Sequence, residues 1–211
     1  MIIVLLGPPG AGKGTQADKL AQRLGIPKIA TGDVLRAALR DGTARGKEAK
    51  AYMDRGDLVP DSVILGILRD VMSSPAAAKG AILDGAVRTV PQAEGLAIML
   101  AELGRGVDKV LLFDISDDKL TERLSGRTVC EKCQTPYMGR QAGSKCEKCG
   151  GSLMRRKDDE PEAIRNRLRV YRDQTAPVIE WYGEKGSKVQ KVDADAPVDE
   201  VTSRALKALK K

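Results

Sequence analysis

The sequence has no histidine among its 211 residues. Because histidine is the commonest general acid–base residue and a common metal ligand, chemistry that depends on an imidazole is excluded. Aromatic residues make up only 3% of the chain. Aliphatic side chains must therefore fill the core, and the aromatic surfaces on which single-stranded nucleic acids stack are not expected.

Long apolar runs are also absent, since no run reaches the roughly 18 residues that span a membrane. The apolar start of the chain, Ile2-Ile3-Val4-Leu5-Leu6, has no basic segment before it and is followed at once by Gly7-Pro8-Pro9-Gly10. A signal peptide does not have this organisation. We therefore expect a soluble protein without a membrane partner.

The balance of charge is basic, with 36 Lys and Arg against 29 Asp and Glu and a net charge of +7. Such a balance indicates an anionic partner, and both nucleotides and nucleic acids satisfy it. Apolar residues make up 42% of the chain, which is enough for a core. The length fits one domain with insertions, or one domain and a small accessory unit.

Apolar periodicity alternates between strands and helices along the chain. Strands are predicted at 2–6, at 81–83 with Asp84 at the end, at 109–115 and at 189–192. Helices are predicted from Thr15 to a stop at Gly25, at 33–39 and 61–71 with Asp33 and Asp61 as caps, and at 46–55, 91–103, 117–124, 161–181 and 197–209. This alternation predicts an α/β fold, a doubly wound parallel sheet with helices on both faces. The pattern breaks between about 126 and 157, which we interpret as an insertion.

A glycine-rich loop joins the first strand to the first helix. Gly7-Pro8-Pro9-Gly10-Ala11-Gly12-Lys13 matches G-x-x-x-x-G-K in the strand–loop–helix context that makes this motif credible. The glycines let backbone N–H groups turn toward an anion, the helix start adds partial positive charge, and Lys13 adds a full charge. Gly14 stands where the general motif has Ser or Thr, so Thr15 is the hydroxyl nearest to a bound Mg²⁺.

Five further motifs follow in order. They are Thr31-Gly32-Asp33-x-Leu35-Arg36, Gly56-x-Leu58-Val59-Pro60-Asp61, Asp84-Gly85-x-x-Arg88-Thr89-x-x-Gln92, Arg123-x-x-x-Arg127 and Arg156-Lys157-Asp158-Asp159. With the glycine loop, they make essentially the whole chain resemble the adenylate kinases, a nucleoside monophosphate kinase family with a P-loop nucleotide-kinase fold. The resemblance implies the Mg²⁺-dependent reaction ATP + AMP ⇌ 2 ADP, with these nucleotides as partners of a cytoplasmic monomer.

The resemblance also implies three parts. Residues 1–29, 60–125 and 161–211 would form the core, residues 30–59 an AMP-binding segment (the AMP segment), and residues 126–160 a lid with a Cys₄ zinc site (the lid segment). Both smaller parts would close over the bound nucleotides.

Residue roles follow from the resemblance, and they suit phosphoryl transfer, which depends on positioning and charge neutralisation. The catalytic residues would be Lys13, Asp84, Arg88, Arg127, Arg156 and Arg167. ATP would be bound by Gly10, Ala11, Gly12, Lys13, Gly14, Thr15, Arg123 and Arg127. AMP would be bound by Thr31, Arg36, Leu58, Val59, Gly85, Arg88, Gln92, Arg156 and Arg167. Thr15, Asp33 and Asp84 would hold Mg²⁺ through water.

Two further expectations concern the charged residues around the insertion. Arg123 and Arg127 are four residues apart, so they would share one face at a helix end, with Arg123 against the donor adenine. Asp158 and Asp159 would pair with the arginines and set the geometry of the lid segment.

One motif departs from the family, which usually has an aromatic residue and a proline where this chain has Ala86 and Val87. Arg88 keeps its register. A kinase for CMP, UMP or GMP therefore stays an alternative within the same family.

All four cysteines lie in the insertion, as Cys130-x₂-Cys133-x₁₂-Cys146-x₂-Cys149. Two such pairs can converge on one tetrahedral ion, and four thiolates predict a structural Zn²⁺, although iron can occupy the same ligands. Two disulfides are the alternative, which a cytosolic compartment disfavours. The metal would supply folding energy to a lid segment too small to bury a core.

A different class of protein, a zinc-ribbon ATPase that binds nucleic acid, would also explain the basic charge and the cysteines. Scarce aromatic residues argue against it, and so do Glu131, Glu147, Asp158 and Asp159 in the insertion. We therefore expect no nucleic-acid partner.

Overall fold

A computed structural model describes residues 1–187 and 189–210, apart from the side chain of Arg45. Its central strands are β1 (Ile2–Leu6), β2 (Lys28–Ala30), β3 (Ala81–Asp84), β4 (Lys109–Asp114) and, near the end of the chain, β8 (Val189–Asp193). They pair in parallel in the order β2-β3-β1-β4-β8. The predicted parallel sheet is confirmed. Lys188 and Lys211, which belong to the predicted core 161–211, lie outside the described residues.

Helices cover both faces of this sheet. They are α1 (Lys13–Leu24), α2 (Thr31–Arg40), α3 (Ala44–Arg55), α4 (Asp61–Met72), α5 (Val90–Glu102), α6 (Asp117–Ser125), α7 (Pro161–Val170), α8 (Ala176–Glu184) and α9 (Val198–Leu209). In the described chain, no helix combines the length and the apolar character needed to cross a membrane.

Strand β1 explains why the chain begins with a continuous apolar run. Ile2 and Val4 point into an apolar cluster with residues of α4, α5 and α8, while Ile3 and Leu5 point into a second cluster with residues of α1, α6 and α9. Successive strand residues face opposite sides, so a strand covered on both faces needs apolar residues at every position.

Two predicted helix caps are wrong. Helix α2 begins at Thr31 with Ala30 as its cap, so Asp33 lies in the first turn, and α4 begins at Asp61 with Pro60 as its cap. Both carboxylates instead bond to side chains, as described below. The three-residue strand β2 was missed, because so short a segment carries no readable periodicity.

The long helix predicted at 161–181 is interrupted. Between α7 and α8 the structure has a π-helical turn, Tyr171–Thr175. Pro177 follows it, and a proline has no amide hydrogen and crowds the carbonyl four residues before it. The regular helical pattern therefore cannot run through this point.

The insertion forms a small antiparallel sheet. Its strands are β5 (Arg127–Cys130), β6 (Pro136–Met138) and β7 (Leu153–Met154), in the order β6-β5-β7. Arg123 lies in the last turn of α6 whereas Arg127 begins β5, so the prediction that they share a helix face is wrong.

Candidate active site

One cavity of about 490 Å³ lies at the carboxyl ends of β1 and β3. Parallel sheets bind ligands at this edge, and the volume is that of a small-molecule site. All the residues that were predicted to bind nucleotide or Mg²⁺ line it. They are Gly10, Ala11, Gly12, Lys13, Gly14, Thr15, Thr31, Asp33, Arg36, Leu58, Val59, Asp84, Gly85, Arg88, Gln92, Arg123, Arg127, Arg156 and Arg167.

The glycine loop between β1 and α1 is shaped by backbone conformations that only glycine adopts easily. Gly10 and Gly12 have φ values of 89° and 86°. The loop arches over Lys13, whose Nζ donates to the carbonyl oxygens of Gly7 at 2.7 Å and Pro8 at 2.9 Å. Burial lowers the pKa of Lys13 to about 8, and nearby Asp84 offsets only part of this effect. The negative charge of a phosphate bound in the loop would offset this desolvation and stabilise the charged form of Lys13.

Gly14, which departs from the general loop motif, lies against the end of β3. A Cβ at this position would be 3.3 Å from Asp84 Oδ2, so a side chain here would crowd the carboxylate. Lys28 Nζ donates to the Gly14 carbonyl at 3.3 Å and lies 3.8 Å from Asp33 Oδ2. Sequence reasoning missed Lys28, because nothing near it along the chain indicates that β2 ends beside this loop.

Residues 84–88, at the end of β3 and in the loop after it, are held by side chains of α2 and α5 and by the side chain of Arg88 itself. The Gly85 carbonyl accepts hydrogen bonds from Thr31 Oγ1 at 2.8 Å and from Arg88 Nε at 3.1 Å. The Arg88 amide donates to Gln92 Oε1 at 2.7 Å, and Gln92 Nε2 donates to Asp61 Oδ1 at 2.7 Å. Asp61 is thus part of the support of this loop, a role that its position at a helix start does not reveal.

Ala86 and Val87 replace the aromatic residue and the proline of the family motif. Their exposed fractions are 1% and 2%, and both belong to the apolar cluster beneath α4, α5 and α8. The departure therefore puts two small aliphatic side chains into the core, with Val87 also lining the cavity.

Arginine side chains converge on the cavity from several elements. Burial lowers the pKa of Arg88, Arg167 and Arg156, the last to about 9, and the charges of neighbouring arginines add to the effect. Burying like charges together is unfavourable unless an anion joins them. The cavity is therefore suited to a ligand with several negative charges, such as a nucleotide phosphate chain.

Two of the arginines that line the cavity have an N–H group available to a ligand. Within the described residues, Arg36 Nε and Arg156 Nε are buried and lack a hydrogen-bond partner. Arg36 Nη2 donates to Asp33 Oδ1 at 2.5 Å. Burial alone would raise the pKa of Asp33, but the charge and hydrogen bond of Arg36 lower it. Buried donors of this kind normally have partners, so the two Nε groups fit an anionic ligand.

Acidic residues connect the lid segment to α7. Asp159, whose side chain is 4% exposed, accepts from Arg127 Nε at 2.8 Å, from Arg127 Nη2 at 2.5 Å and from Arg167 Nη1 at 2.9 Å. Asp158 lies 3.1 Å from Arg167. Burial would raise the pKa of Asp158, but Arg167 and Arg156 lower it. The predicted pairing of these aspartates with the arginines is confirmed.

The four cysteines form a separate cluster. Their Sγ atoms all lie within 4.8 Å of one another, with Cys130 and Cys149 at 3.4 Å and Cys133 and Cys146 at 3.6 Å. Four sulfurs bound to a tetrahedral ion at about 2.3 Å would be about 3.8 Å apart. All four are free thiols, so the disulfide alternative is not supported, and the cluster can hold a metal ion.

Hydroxyl groups support two of these sulfurs. Thr135 Oγ1 lies 3.1 Å from the Cys133 sulfur, and Tyr137 Oη lies 3.2 Å from the Cys146 sulfur. Such outer contacts orient and stabilise metal-binding thiolates.

Comparison with known proteins agrees with this geometry. The family model described as "Adenylate kinase" matches residues 5–187. A protein from Gemmatimonas aurantiaca named adenylate kinase is 63% identical over 100% of this chain and 99% of its own. The adenylate kinases of Thermodesulfovibrio yellowstonii and Methanosarcina barkeri are 48% and 46% identical, each over 100% of this chain and over 100% and 99% of their own. The chain belongs to the adenylate kinase family.

Proposed function

We propose that this protein transfers a phosphoryl group reversibly from Mg²⁺-bound ATP to AMP and so forms two ADP. The observation that carries this proposal is one cavity lined by the glycine loop, the loop after β3 and a set of converging arginines. The first loop suits a triphosphate and the arginines suit a second phosphate. The names of the relatives support ATP and AMP as the two nucleotides.

The donor side would be formed by the glycine loop, residues 10–15, with Arg123 and Arg127. Lys13 would neutralise charge on the transferring phosphate, and backbone N–H groups of the loop would hold the other phosphates. Arg123 Nη2 donates to the Ala194 carbonyl at 3.0 Å, which fixes the guanidinium at the cavity wall, where we place the adenine.

The acceptor side would be formed by α2, by Leu58 and Val59 and by residues 85–92. Thr31 and Gln92 would contact the base, while Arg36, Arg88, Arg156 and Arg167 would bind the AMP phosphate. The unpaired Nε groups of Arg36 and Arg156 support this assignment. An acceptor phosphate is already ionised, so a chain without histidine can perform this reaction.

The residues present fit a bound Mg²⁺. Asp33 and Asp84 are carboxylates at the cavity beside Gly14, and Thr15 adds a hydroxyl, so they would hold the ion through water molecules. When bound with ATP, the ion would neutralise charge on the phosphates during transfer. The cysteine cluster would hold Zn²⁺ as a structural ion of the lid segment.

We further propose that residues 1–29, 60–125 and 161–211 act as a core, over which the AMP segment and the lid segment close. Closure would bring Arg127 and Arg156 onto the phosphates and expel water that could otherwise hydrolyse ATP. The bonds of Asp159 to arginines of the lid segment and of α7 support this arrangement.

The test is ADP formation from ATP and Mg²⁺ with AMP, CMP, UMP or GMP supplied separately. We expect AMP to be the preferred acceptor, and Lys13→Met to lower turnover by about 10²- to 10³-fold because a buried phosphate contact is lost. Preference for another acceptor would point to Ala86 and Val87 and would replace AMP in the proposal. No ADP with any acceptor would contradict the proposal.

A further inference from the structure

The π-helical turn Tyr171–Thr175 is a local feature that the proposed roles do not use. The amide of Ala176 donates to the Tyr171 carbonyl, the five-residue spacing of a π-helix. Pro177 explains why the regular helix is interrupted here. It has no amide hydrogen to donate, and its ring would clash with the carbonyl group four residues before it. Such turns occur mostly as single insertions and are frequent at functional sites.

The turn changes which way Thr175 points. A regular α-helix rotates about 100° per residue, so eight residues would place Thr175 about 80° away from the direction of Arg167. The π-helical turn accommodates one extra residue without the rotation of about 100° that it would otherwise add. The angle between Thr175 and Arg167 therefore becomes about 20°. Thr175 therefore faces the same side as Arg167, and both residues line the cavity.

On that side, Thr175 makes one specific contact. Its Oγ1 donates to the Arg88 carbonyl at 2.8 Å, in surroundings that leave Thr175 only 7% exposed. The amide of Arg88 is held by Gln92. The backbone of Arg88 is thus fixed on one side by α5 and on the other by the π-helical turn that follows α7, the helix of Arg167.

Because Val87 precedes Arg88, the hydrogen bond from Thr175 to the Arg88 carbonyl is more important for the backbone of this loop. A proline at position 87 would lock its own φ angle, whereas Val87 leaves the backbone of the loop freer. The hydroxyl of Thr175 supplies from outside the loop a restraint that the local sequence lacks.

We propose that Thr175 is a positioning residue that holds Arg88 in register with Arg167, so that the two guanidinium groups can bind the same phosphate of AMP. The inference rests on the proposed function, because it takes AMP as the acceptor. Thr175 acts through Arg88 and does not itself touch the reacting atoms.

The test compares Thr175→Val, which keeps the shape but loses the donor, with Thr175→Ser, which keeps the donor. AMP and ATP affinities are measured by calorimetry, and KM and kcat are measured for both nucleotides. We expect Thr175→Val to weaken AMP binding and raise the KM for AMP about tenfold, the size of effect of one lost buried hydrogen bond. ATP binding should change less than about twofold, and Thr175→Ser should behave like the parent.

Thr202→Val is the matched control. Thr202 is also a buried threonine, and its Oγ1 donates to Gln16 Oε1 at 2.8 Å in the contact between α9 and α1, where Arg88 takes no part. This variant should lose a comparable hydrogen bond without a change in AMP affinity. If Thr175→Val does not fold, Thr175→Ala against Thr175→Ser makes the same comparison.

Unchanged AMP affinity in Thr175→Val or Thr175→Ala would overturn the inference, and so would equal losses for AMP and ATP. These outcomes differ from failure of the proposed function, which would appear as a parent protein that makes no ADP from ATP and AMP.

Discussion

The core and the lid segment are stabilised in different ways. The core buries two large apolar clusters, one on each face of its sheet. The lid segment has a single cluster of three buried residues, Cys130, Cys146 and Leu153, with Cys133 and Tyr137 packed against it. Two of the three residues that form the centre of the lid segment are therefore candidate metal ligands.

The two parts therefore depend on different interactions for their shape. A segment as short as 126–160 cannot bury enough apolar surface to fold alone and normally needs a metal or disulfides. The core has no such need. The lid segment should therefore respond to the loss of a metal bound by its cysteines and to the loss of its ion pairs, and the core should not.

Metal removal should give the largest effect. Structural zinc contributes on the order of 10 kcal/mol to folding in small zinc-binding units, so we expect the lid segment to unfold without it. Melting curves with and without a chelator should show a lower or two-step transition, proteases should cleave between 126 and 160, and turnover should fall. Metal analysis of the same sample would identify the ion as zinc or iron.

Cys146→Ser should reproduce the effect of the chelator, whereas Ser144→Ala, in the same loop, should leave the melting temperature unchanged. A chelator that extracts the metal without altering the melting temperature would contradict a structural role and would remove the main contrast between the two parts.

The ion pairs of Asp159 should give the next largest effect. Asp159→Asn leaves the largely buried Arg127 without its carboxylate and Arg167 with Asp158 alone, and removing one partner of a buried ion pair typically costs about 3–5 kcal/mol. Asp173→Asn is the control, because Asp173 and Arg169 form an exposed pair at 3.7 Å whose side chains are more than half exposed, and such pairs contribute little. Urea unfolding should separate the two variants clearly. Equal stabilities would mean that the lid segment is not anchored through Asp159.

The same contrast explains how much the sequence could predict. The glycine loop is a local motif, and its strand, turn and helix were all predicted correctly, as was the convergence of the four cysteines. The support of residues 84–88 is not local: Asp61, Gln92 and Thr175 come from three helices. This supporting role was not predicted for Asp61 or for Thr175, because the tertiary fold brings them to the loop and no spacing along the chain indicates it.

The strands of the lid segment were missed for a related reason. They are only two to four residues long, so they carry no readable alternation of apolar and polar residues. The sequence thus predicted the four converging cysteines of this segment but not the small sheet that carries them.

The smallest expected effect on the free energy of unfolding concerns Lys13, whose ammonium group donates to carbonyl groups, whereas the Asp159 carboxylate is paired with arginines. Asp159 is buried with partners, so removing its charge should destabilise the protein. Lys13 is partly buried against carbonyl groups, and its pKa is lowered from 10.5 to about 8, chiefly by desolvation of the ammonium group. Without nucleotide, its charge therefore costs stability, and we expect Lys13→Met to be more stable than the parent at pH 7, by at most about 3 kcal/mol.

The sign of the pH dependence follows from the same shift. Between pH 8 and 10.5 the unfolded chain still holds the proton that folded Lys13 has released, so the free energy of unfolding of the parent rises with pH in this window. Lys13→Met lacks this rise, and its advantage should shrink as the pH approaches 10.5. Lys19→Met is the control in the same helix, because it also removes an ammonium group but from a side chain that is 39% exposed. Parallel slopes for the parent and Lys13→Met in nucleotide-free urea unfolding would mean that the loop accommodates the ammonium without cost.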